Sequence, residues 1–304
     1  MLEFDQIKIT MMVLVAELNE NINIDNLFPL IPITRVLHNS KKLPMCGIRG
    51  AILSARYNGV CRGLLINSYF MNSIIVDVCN GVKNMNVKIS RNSMHICGSK
   101  SIDMAKDVVE LLLNLITTID EYVKKFKQNN YIEKLVDLTR GEYILVNGVL
   151  RNHINIQYID DPIMNYFIDL ARDYVYHDDY VKHLQWINNI DNIISGCISL
   201  NKLNMVVVNY GYNLGFSIDR QLLCDNINGF NGFIASYENT LEHKVNIMLP
   251  YESNDIKRKK NYHKFIVYKS GFVKQSAPNE EMAREAFQKF IETIEYLKPL
   301  IERK

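Results

Sequence analysis

Positive charge on predicted strands is the feature of this sequence with the clearest chemical use. Residues 49–100 hold seven Lys and Arg against one acid, Asp77, and residues 243–276 hold eight against Glu252 and Asp255. Both ranges are predicted to form mostly strands, whereas the acidic residues lie mainly in predicted helices. The formal net charge of the whole chain is therefore only +2. Such a separation of charge is typical of a sheet that faces a polyanion.

Patterns of catalytic and metal-binding residues are missing from the sequence. There is no P-loop, no Gly-x-Ser-x-Gly and no His-Glu-x-x-His motif. His177 and His183 are six residues apart, a poor spacing for one helical face, and the pairs Asp160-Asp161 and Asp178-Asp179 suit the first turns of helices. The six Cys form no Cys-x-x-Cys pair and predict reduced thiols. We expect no enzyme, no catalytic residue, no metal, no cofactor and no small-molecule substrate.

Hydropathy predicts a soluble protein without a membrane partner. No apolar run reaches the roughly 18 to 20 residues that a membrane helix needs, and the nearest, Val108 to Ile116, contains Glu110 and Asn114. The apolar run Met11 to Ala16 is short and follows acidic residues, so it reads as a strand and not as a signal peptide. We therefore expect an intracellular location, nuclear or cytoplasmic.

One order of predicted elements occurs twice: strand, short helix, several antiparallel strands, long helix. The first stretch begins with a strand at Lys8–Val15 and ends with a helix from Ser101 to about Asp120. The second begins with a strand at Leu203–Val208 and ends with a helix from Asn279 to about Ile301. This order predicts an α+β fold with helices on one face of an antiparallel sheet.

The residues between the two stretches have no counterpart in either. Asp161-Pro162 starts a helix that is predicted to reach about Tyr176, and Asp178–Ile194 predicts another, which contains the single Trp186. We therefore divide the chain into a first repeat (1–121), an inserted helical segment (122–196) and a second repeat (197–304).

Ser90–Ser101 and Tyr268–Ser276 are corresponding segments of the two stretches, and both resemble segments of the TATA-box-binding protein family. Ser90–Ser101 is similar, without gaps, to the strand–turn–strand–helix segment before that family's first long helix, and Tyr268–Ser276 is its second counterpart. Ala55–Asn58, Ala235–Glu238 and Leu203–Val206 also fall where the family has similar stretches. The resemblance implies two pseudo-symmetric repeats that form a saddle-shaped antiparallel sheet.

The same resemblance implies a DNA-binding transcription initiation factor that contacts A/T-rich promoter DNA through its concave sheet. Its implied partners are double-stranded DNA and other transcription factors or RNA polymerase subunits. The long segment between the repeats, and a composition rich in Asn and Ile and poor in Ala, resemble divergent relatives from large cytoplasmic DNA viruses. A viral protein would act in the host cytoplasm or the virion.

The resemblance also implies roles for single residues. Four positions match polar residues of the family that face the DNA groove: Thr10, Cys97, Asn204 and Ser276. Four match the wedges that unstack base steps: Asn72, Ile89, Glu242 and Tyr268. Because only Tyr268 among the wedges is aromatic, we expect weaker or one-sided DNA bending.

Strand alternation extends this set of predicted DNA contacts. If Tyr268 faces DNA, then Ile266 and Lys264 do too, and Ser276 brings Lys274 with it. In the first stretch the predicted face is Thr10, Met12, Val87, Ile89, His95 and Cys97. Phosphate contacts are predicted for the basic loop Lys257, Arg258, Lys259 and Lys260.

Two other classes of function remain open from the sequence. A protein-interaction scaffold, in a transcription or virion complex, could keep the fold and lose direct DNA binding. The near-neutral total charge favours the scaffold, and so do the three wedge positions that lack an aromatic residue. A Lys-rich loop is moreover often exposed to solvent without contacting nucleic acid. An enzyme is the third class, for which no catalytic constellation is found.

Overall fold

The structure is a computed structural model that describes residues 2–34, 47–64, 71–139, 142–146, 149–237, 243–252 and 261–303. It contains several helices and strands that pair in antiparallel fashion. The predicted combination of an antiparallel sheet with helices is therefore confirmed.

The described residues form the following strands and helices in chain order. They are β1 Lys8–Leu18, α1 Ile24–Leu27, β2 Ile52–Tyr57, β3 Val60–Gly63, β4 Ile74–Cys79, β5 Asn84–Ile89, β6 Ser93–Ser99, α2 Ile102–Gln128, α3 Ile132–Thr139, β7 Glu142–Val146, β8 Val149–His153, α4 Pro162–Ala171, α5 His177–Asn189, β9 Leu200–Asn213, α6 Arg220–Ile227, β10 Ile234–Ser236, β11 Lys244–Tyr251, β12 Asn261–Tyr268, β13 Phe272–Ala277 and α7 Glu280–Ile301.

The order of elements is similar in the two halves of the chain. A long strand, a short helix, several further strands and a long helix follow one another from β1 to α2 and again from β9 to α7. This is the order of elements that the sequence predicts. Pseudosymmetry between the two halves, and the saddle, stay predictions.

The chain divides into two compact units. Unit 1 comprises Met1–Val15, Cys97–Ile102 and Asn204–Lys304, and unit 2 comprises Ala16–Ile96 and Asp103–Leu203. The predicted parts 1–121, 122–196 and 197–304 follow element order and not this division, and they stay a prediction.

The core of unit 1 lies between one side of its strands and α7. The strands follow one another in the order β10-β11-β12-β13-β9-β1. The Phe290 ring of α7 stacks on Phe265 of β12, with centroids 4.3 Å apart, and Phe287 meets Tyr212 of β9 edge to face at 5.1 Å. Because buried residues recur every three or four positions along α7, one face of this helix covers this side of the sheet.

Unit 2 contains strands in the order β6-β5-β4-β2-β3 and most of the 27-residue helix α2. The helix continues past its predicted end at about Asp120 because Val123 and Phe126 extend its buried face. The predicted boundary after residue 121 therefore falls inside a helix. Among the described residues, no helix combines the length and the apolar character that crossing a membrane requires.

The segment 122–196 is only partly helical, which corrects the prediction. It holds the end of α2, α3, α4 and α5, and also the hairpin of β7 and β8. Asp161 caps α4 as the sequence predicts, accepting hydrogen bonds from the backbone N–H groups of Ile163 and Met164. This helix ends at Ala171, earlier than the predicted Tyr176.

Candidate nucleic-acid interface

Alternating burial divides the strands of unit 1 into two faces. On β12, Phe265 and Val267 are buried and Lys264 is exposed, whereas on β13 Val273 is buried and Lys274 is exposed. Since side chains of a strand alternate between the faces, the second set forms the surface opposite the α7 core. We name this surface the open face; its residues on β9 and β11–β13 include Asn209, Gly211, Lys244, Asn246, Met248, Lys264, Ile266, Tyr268, Phe272, Lys274 and Ser276.

Strand register brings together the DNA contacts that were predicted for the second half. Lys264 is paired with Ser276, and Ser276 with Asn209. In the next row, Ile266 is paired with Lys274. Directly opposite residues have Cβ atoms about 5 Å apart. Lys264, Ile266, Lys274 and Ser276 therefore lie side by side, as strand alternation predicts, and their contact with DNA stays a prediction.

The strand residues of unit 1 carry lysines and no carboxylate. No Asp or Glu occurs in residues 8–15, 204–213, 234–236, 244–251, 261–268 or 272–277. Lys264 and Lys274 are exposed and Lys244 is half-buried. The positive charge of the open face is thus not neutralised by acids within its own strands, which favours the approach of a polyanion.

Two aromatic rings and a lysine lie together on the open face. The ring centroids of Tyr268 and Phe272 are 6.0 Å apart with an interplanar angle of 36°. The Nζ atom of Lys274 lies 5.8 Å from the centroid of the Tyr268 ring, within reach of a cation–π interaction. This cluster combines a cation with the kind of aromatic surface on which nucleobases stack.

Thr10 lies beside the open face and is packed closely against Gly211 of β9. Its hydroxyl donates a 3.1 Å hydrogen bond to the Asn209 carbonyl oxygen. A Cβ atom on Gly211 would lie 2.8 Å from Thr10 Cγ2 and 3.2 Å from Phe272 Cζ, so Gly211 permits this close approach. Thr10 is exposed, whereas Met12, predicted for the same face, is buried.

Asn209, and not the predicted Asn204, is the amide of β9 in the row of Ser276 and Lys264. Asn204 is half-buried and has hydrogen-bonding or other partners of its own. The resemblance led to Asn204, whereas Asn209 is identified only by the register of β13 against β9 in the structure, in which it lies directly opposite Ser276.

The prediction that Ile89 and Val87 face DNA is wrong. The β5 side chains alternate, with Met85, Val87 and Ile89 buried and Asn84, Asn86 and Lys88 half-buried. Ile89 is only 1% exposed and is paired with Ile74 of β4. The apolar set faces the core because burial of apolar side chains stabilises the fold.

His95 and Cys97 lie on the half-buried side of β6, and their contact with DNA stays a prediction. Burial, with a smaller contribution from Lys88, lowers the pKa of His95. Burial also raises the pKa of the Cys97 thiol. Both side chains are therefore uncharged near neutral pH, and neither adds to the positive charge available for DNA.

A buried polar network occupies the strands of unit 2. One carboxylate oxygen of Asp77 accepts hydrogen bonds from Ser54 Oγ at 2.5 Å and Arg56 at 2.8 Å, and the other accepts from Asn86 Nδ2 at 2.9 Å. The side chains of Arg56 and Asp77 are 3% and 6% exposed. Arg56 is one of the seven basic residues counted in residues 49–100. Its side chain packs within unit 2 and is buried from solvent.

The histidines considered as ligands lie in α5. His183 stacks on Trp186 with centroids 5.2 Å apart, and its ring is also 5.2 Å from that of Tyr174. Burial, aided by the charge of Arg62, lowers the pKa of His183 to about 4. In the part of the chain that the structure describes, His, Cys, Asp and Glu form no group of three that could hold a metal ion.

The remaining predicted contacts fall outside the described residues. They are the four basic residues of the loop, Lys257, Arg258, Lys259 and Lys260, and the wedge position Glu242. Asn72, another wedge position, lies in an exposed turn.

Comparison with solved structures gives a similarity of low degree. No family model and no curated protein matches the chain. Among solved structures, the chain is similar to Methanococcus jannaschii TBP, with 12% sequence identity over 96% of this chain and 98% of that chain and a TM-score of 0.40. A similarity of this degree assigns no family and no function, so both must be argued from the residues of this chain.

Proposed function

We propose that this chain is a DNA-binding transcription initiation factor that contacts A/T-rich duplex DNA through the open face of unit 1. The observation that carries the proposal is the pair of exposed lysines, Lys264 and Lys274, on strands that contain no acid. The sequence motifs that resemble the TATA-box-binding protein family support the same proposed function.

The composition of the open face fits the minor groove of A/T-rich DNA. That groove offers acceptor atoms and few other hydrogen-bonding groups. The hydroxyl of Ser276 and the amide of Asn209 can donate to such acceptors, while Ile266 and Met248 provide apolar contact. Lys264 and Lys274 can contact phosphates beside them.

The proposed contact surface lies on one unit. In unit 2, Ser54, Arg56 and Asp77 are buried, and so is Ile89. We therefore propose a shorter footprint and a smaller number of phosphate contacts than two equal repeats would give. Other transcription factors or RNA polymerase subunits would supply further affinity.

Charge reversal tests this proposal. We expect the K264E and K274E variants to bind duplex DNA more weakly whatever its sequence, because each removes a phosphate contact. The slope of log affinity against log salt should flatten by about 0.9 per lost contact. Fluorescence anisotropy of labelled A/T-rich and random duplexes across a salt series measures both effects.

K289E is the matched control, because Lys289 is an exposed lysine of α7 outside the open face. Its affinity and salt slope should stay near those of the unaltered chain. Equal binding by K264E, K274E and K289E would show that the open face does not meet DNA.

A scaffold without direct DNA binding is the second candidate. Exposed apolar side chains of α6 and α7 favour it: Leu222 is 45%, Tyr296 70% and Leu300 55% exposed, and the Tyr296 ring stacks on Phe230 at 5.3 Å. Such side chains suit a protein partner. This reading would gain if the full chain bound no duplex at low salt.

We further propose that the protein is not an enzyme and acts inside the cell. A relationship to proteins of large DNA viruses, with action in the host cytoplasm or virion, rests on sequence resemblance and composition. Detection of the native protein in virion or nuclear fractions would decide between these locations.

A further inference from the structure

A recess opens on unit 1 beside the predicted DNA contacts. Its volume is about 530 Å³, within the range of sites that hold small organic molecules. Its lining includes Met11 and Val13 of β1, Val207 and Asn209 of β9, Tyr262 and Lys264 of β12, and Ser276 of β13.

The lining has an apolar part and a polar part. Met11, Val13 and Val207 are half-buried and provide apolar walls. Ser276 lies directly between Lys264 and Asn209 in the strand register, so these three form one polar row.

Within this row, the side chain of Asn209 has a buried acceptor with no hydrogen bond among the described residues. Its Oδ1 atom is buried and accepts no hydrogen bond from the residues that the structure describes. A buried acceptor without a donor destabilises the fold, so the site gains from a ligand that presents an N–H group.

A nucleobase with its phosphate meets these requirements together. An amide side chain pairs with the edge of a base through two hydrogen bonds, for which adenine is the usual partner of Asn. The apolar walls and the Tyr262 ring suit the flat faces of a base, and the ammonium group of Lys264 suits a phosphate. A base within an intact duplex shows only its edge, whereas a base out of the stack shows its edge and both faces.

We propose that this recess binds a nucleobase that has left the stack of a nucleic-acid strand, with Asn209 and Ser276 at its edge and Lys264 at its phosphate. The inference rests on the proposed function, because the strand must first lie on the open face. An unpaired base costs least to unstack, so the protein should prefer DNA that contains one.

The test compares two labelled duplexes that differ by one unpaired adenine, at a fixed salt concentration, by fluorescence anisotropy. We expect the chain to bind the duplex with the unpaired adenine about tenfold more tightly. The N209D variant should lose this preference, since the carboxylate cannot donate to the base. The S276A variant should reduce the preference for the unpaired adenine. Because this substitution only removes a hydroxyl, its effect provides a second test if N209D fails to fold.

N246D is the matched control. Asn246 is also on the open face but does not line the recess, so N246D adds the same negative charge without altering the recess. N209D and N246D should weaken general duplex binding alike, while only N209D loses the preference. Thermal melts followed by circular dichroism establish that each variant is folded.

Calorimetric titration with adenosine monophosphate shows whether the recess binds a free nucleotide or only a base within a nucleic-acid strand. Equal affinity for the two duplexes, in the unaltered chain and in both Asn variants, overturns the recess proposal and leaves the proposed function intact. If neither duplex binds, the proposed function fails. In that case, binding of adenosine monophosphate that N209D abolishes supports the recess as a site for a free nucleotide, and no binding overturns it.

Discussion

Replacing Asp77 by Ala should destabilise unit 2 by about 3–5 kcal/mol, the usual cost of removing one partner from a buried ion pair. The carboxylate accepts hydrogen bonds from Ser54, Arg56 and Asn86, and its own side chain is 6% exposed. Without it, three donors lose an acceptor and the Arg56 charge loses its neighbouring counter-charge. A loss of this size far exceeds that of an exposed pair, about 0–1 kcal/mol.

Urea unfolding followed by Trp186 fluorescence measures this loss. Trp186 is the single Trp of the chain and belongs to unit 2, so its signal reports the unit that holds Asp77. With a urea slope of about 2–3 kcal/mol per molar, the midpoint should fall by about 1 M or more. D107A is the control, because Asp107 pairs with the exposed Arg49, whose side chain is 59% exposed.

The double variant R56M/D77L separates a charge effect from a packing effect. Replacing both charges by apolar side chains removes the uncompensated charge, so the double variant should be more stable than D77A. A D77A midpoint within the range of D107A, or a double variant as unstable as the sum of its single changes, would refute this account of the network.

Three further predictions concern stability. F290A should lose about 3–5 kcal/mol, because it removes the ring that stacks on Phe265 at 4.3 Å in the core of unit 1; thermal unfolding measures it, and an unchanged midpoint would contradict the packing described. His183 has a pKa near 4 in the folded state, so the unfolded chain binds more protons as pH falls below about 6.5, and stability should drop by about 2 kcal/mol between pH 7.5 and 5. The H183F variant, which retains a ring against Trp186, should show a smaller drop in the same urea titrations; an equal drop would assign the effect to other groups. D161A should lose about 1 kcal/mol by uncapping α4, and D161S should recover most of it, as judged by urea midpoints.

The sequence predicts the elements of this fold better than it predicts which side of each strand is buried. The helix predicted from Asn279 to about Ile301 is α7, because its apolar spacing and the Asn279 cap are both local signals. Strand β5 also alternates as predicted, but the alternation alone does not tell which set faces the core. The resemblance placed Ile89 toward DNA, whereas the packing of β5 buries it.

Features that depend on distant residues could not be predicted from local patterns. Asn209 becomes part of the polar row only through the pairing of β9 with β13, and the sequence gives no register between strands so far apart. The hairpin of β7 and β8 lies in a segment interpreted as helical, since the flanking helices dominate its pattern. The bond between Asp77 and Arg56 likewise joins two strands, and Asp77 appeared only as the lone acid of a basic region.

The short terminal strands of the sheet bear on how the protein behaves at high concentration. Among the residues that the structure describes, the strand order ends in unit 1 at β10, which has three residues, and in unit 2 at β3, which has four. The unpaired backbone N–H and C=O groups of a terminal strand can pair with a strand of another protein molecule. A long terminal strand can in this way nucleate fibres. With so few backbone groups at either end, each copy is a poor template for the next, even though Ile234 and Val60 are exposed there. The chain should therefore tolerate the crowded conditions of overexpression without polymerising through its strands.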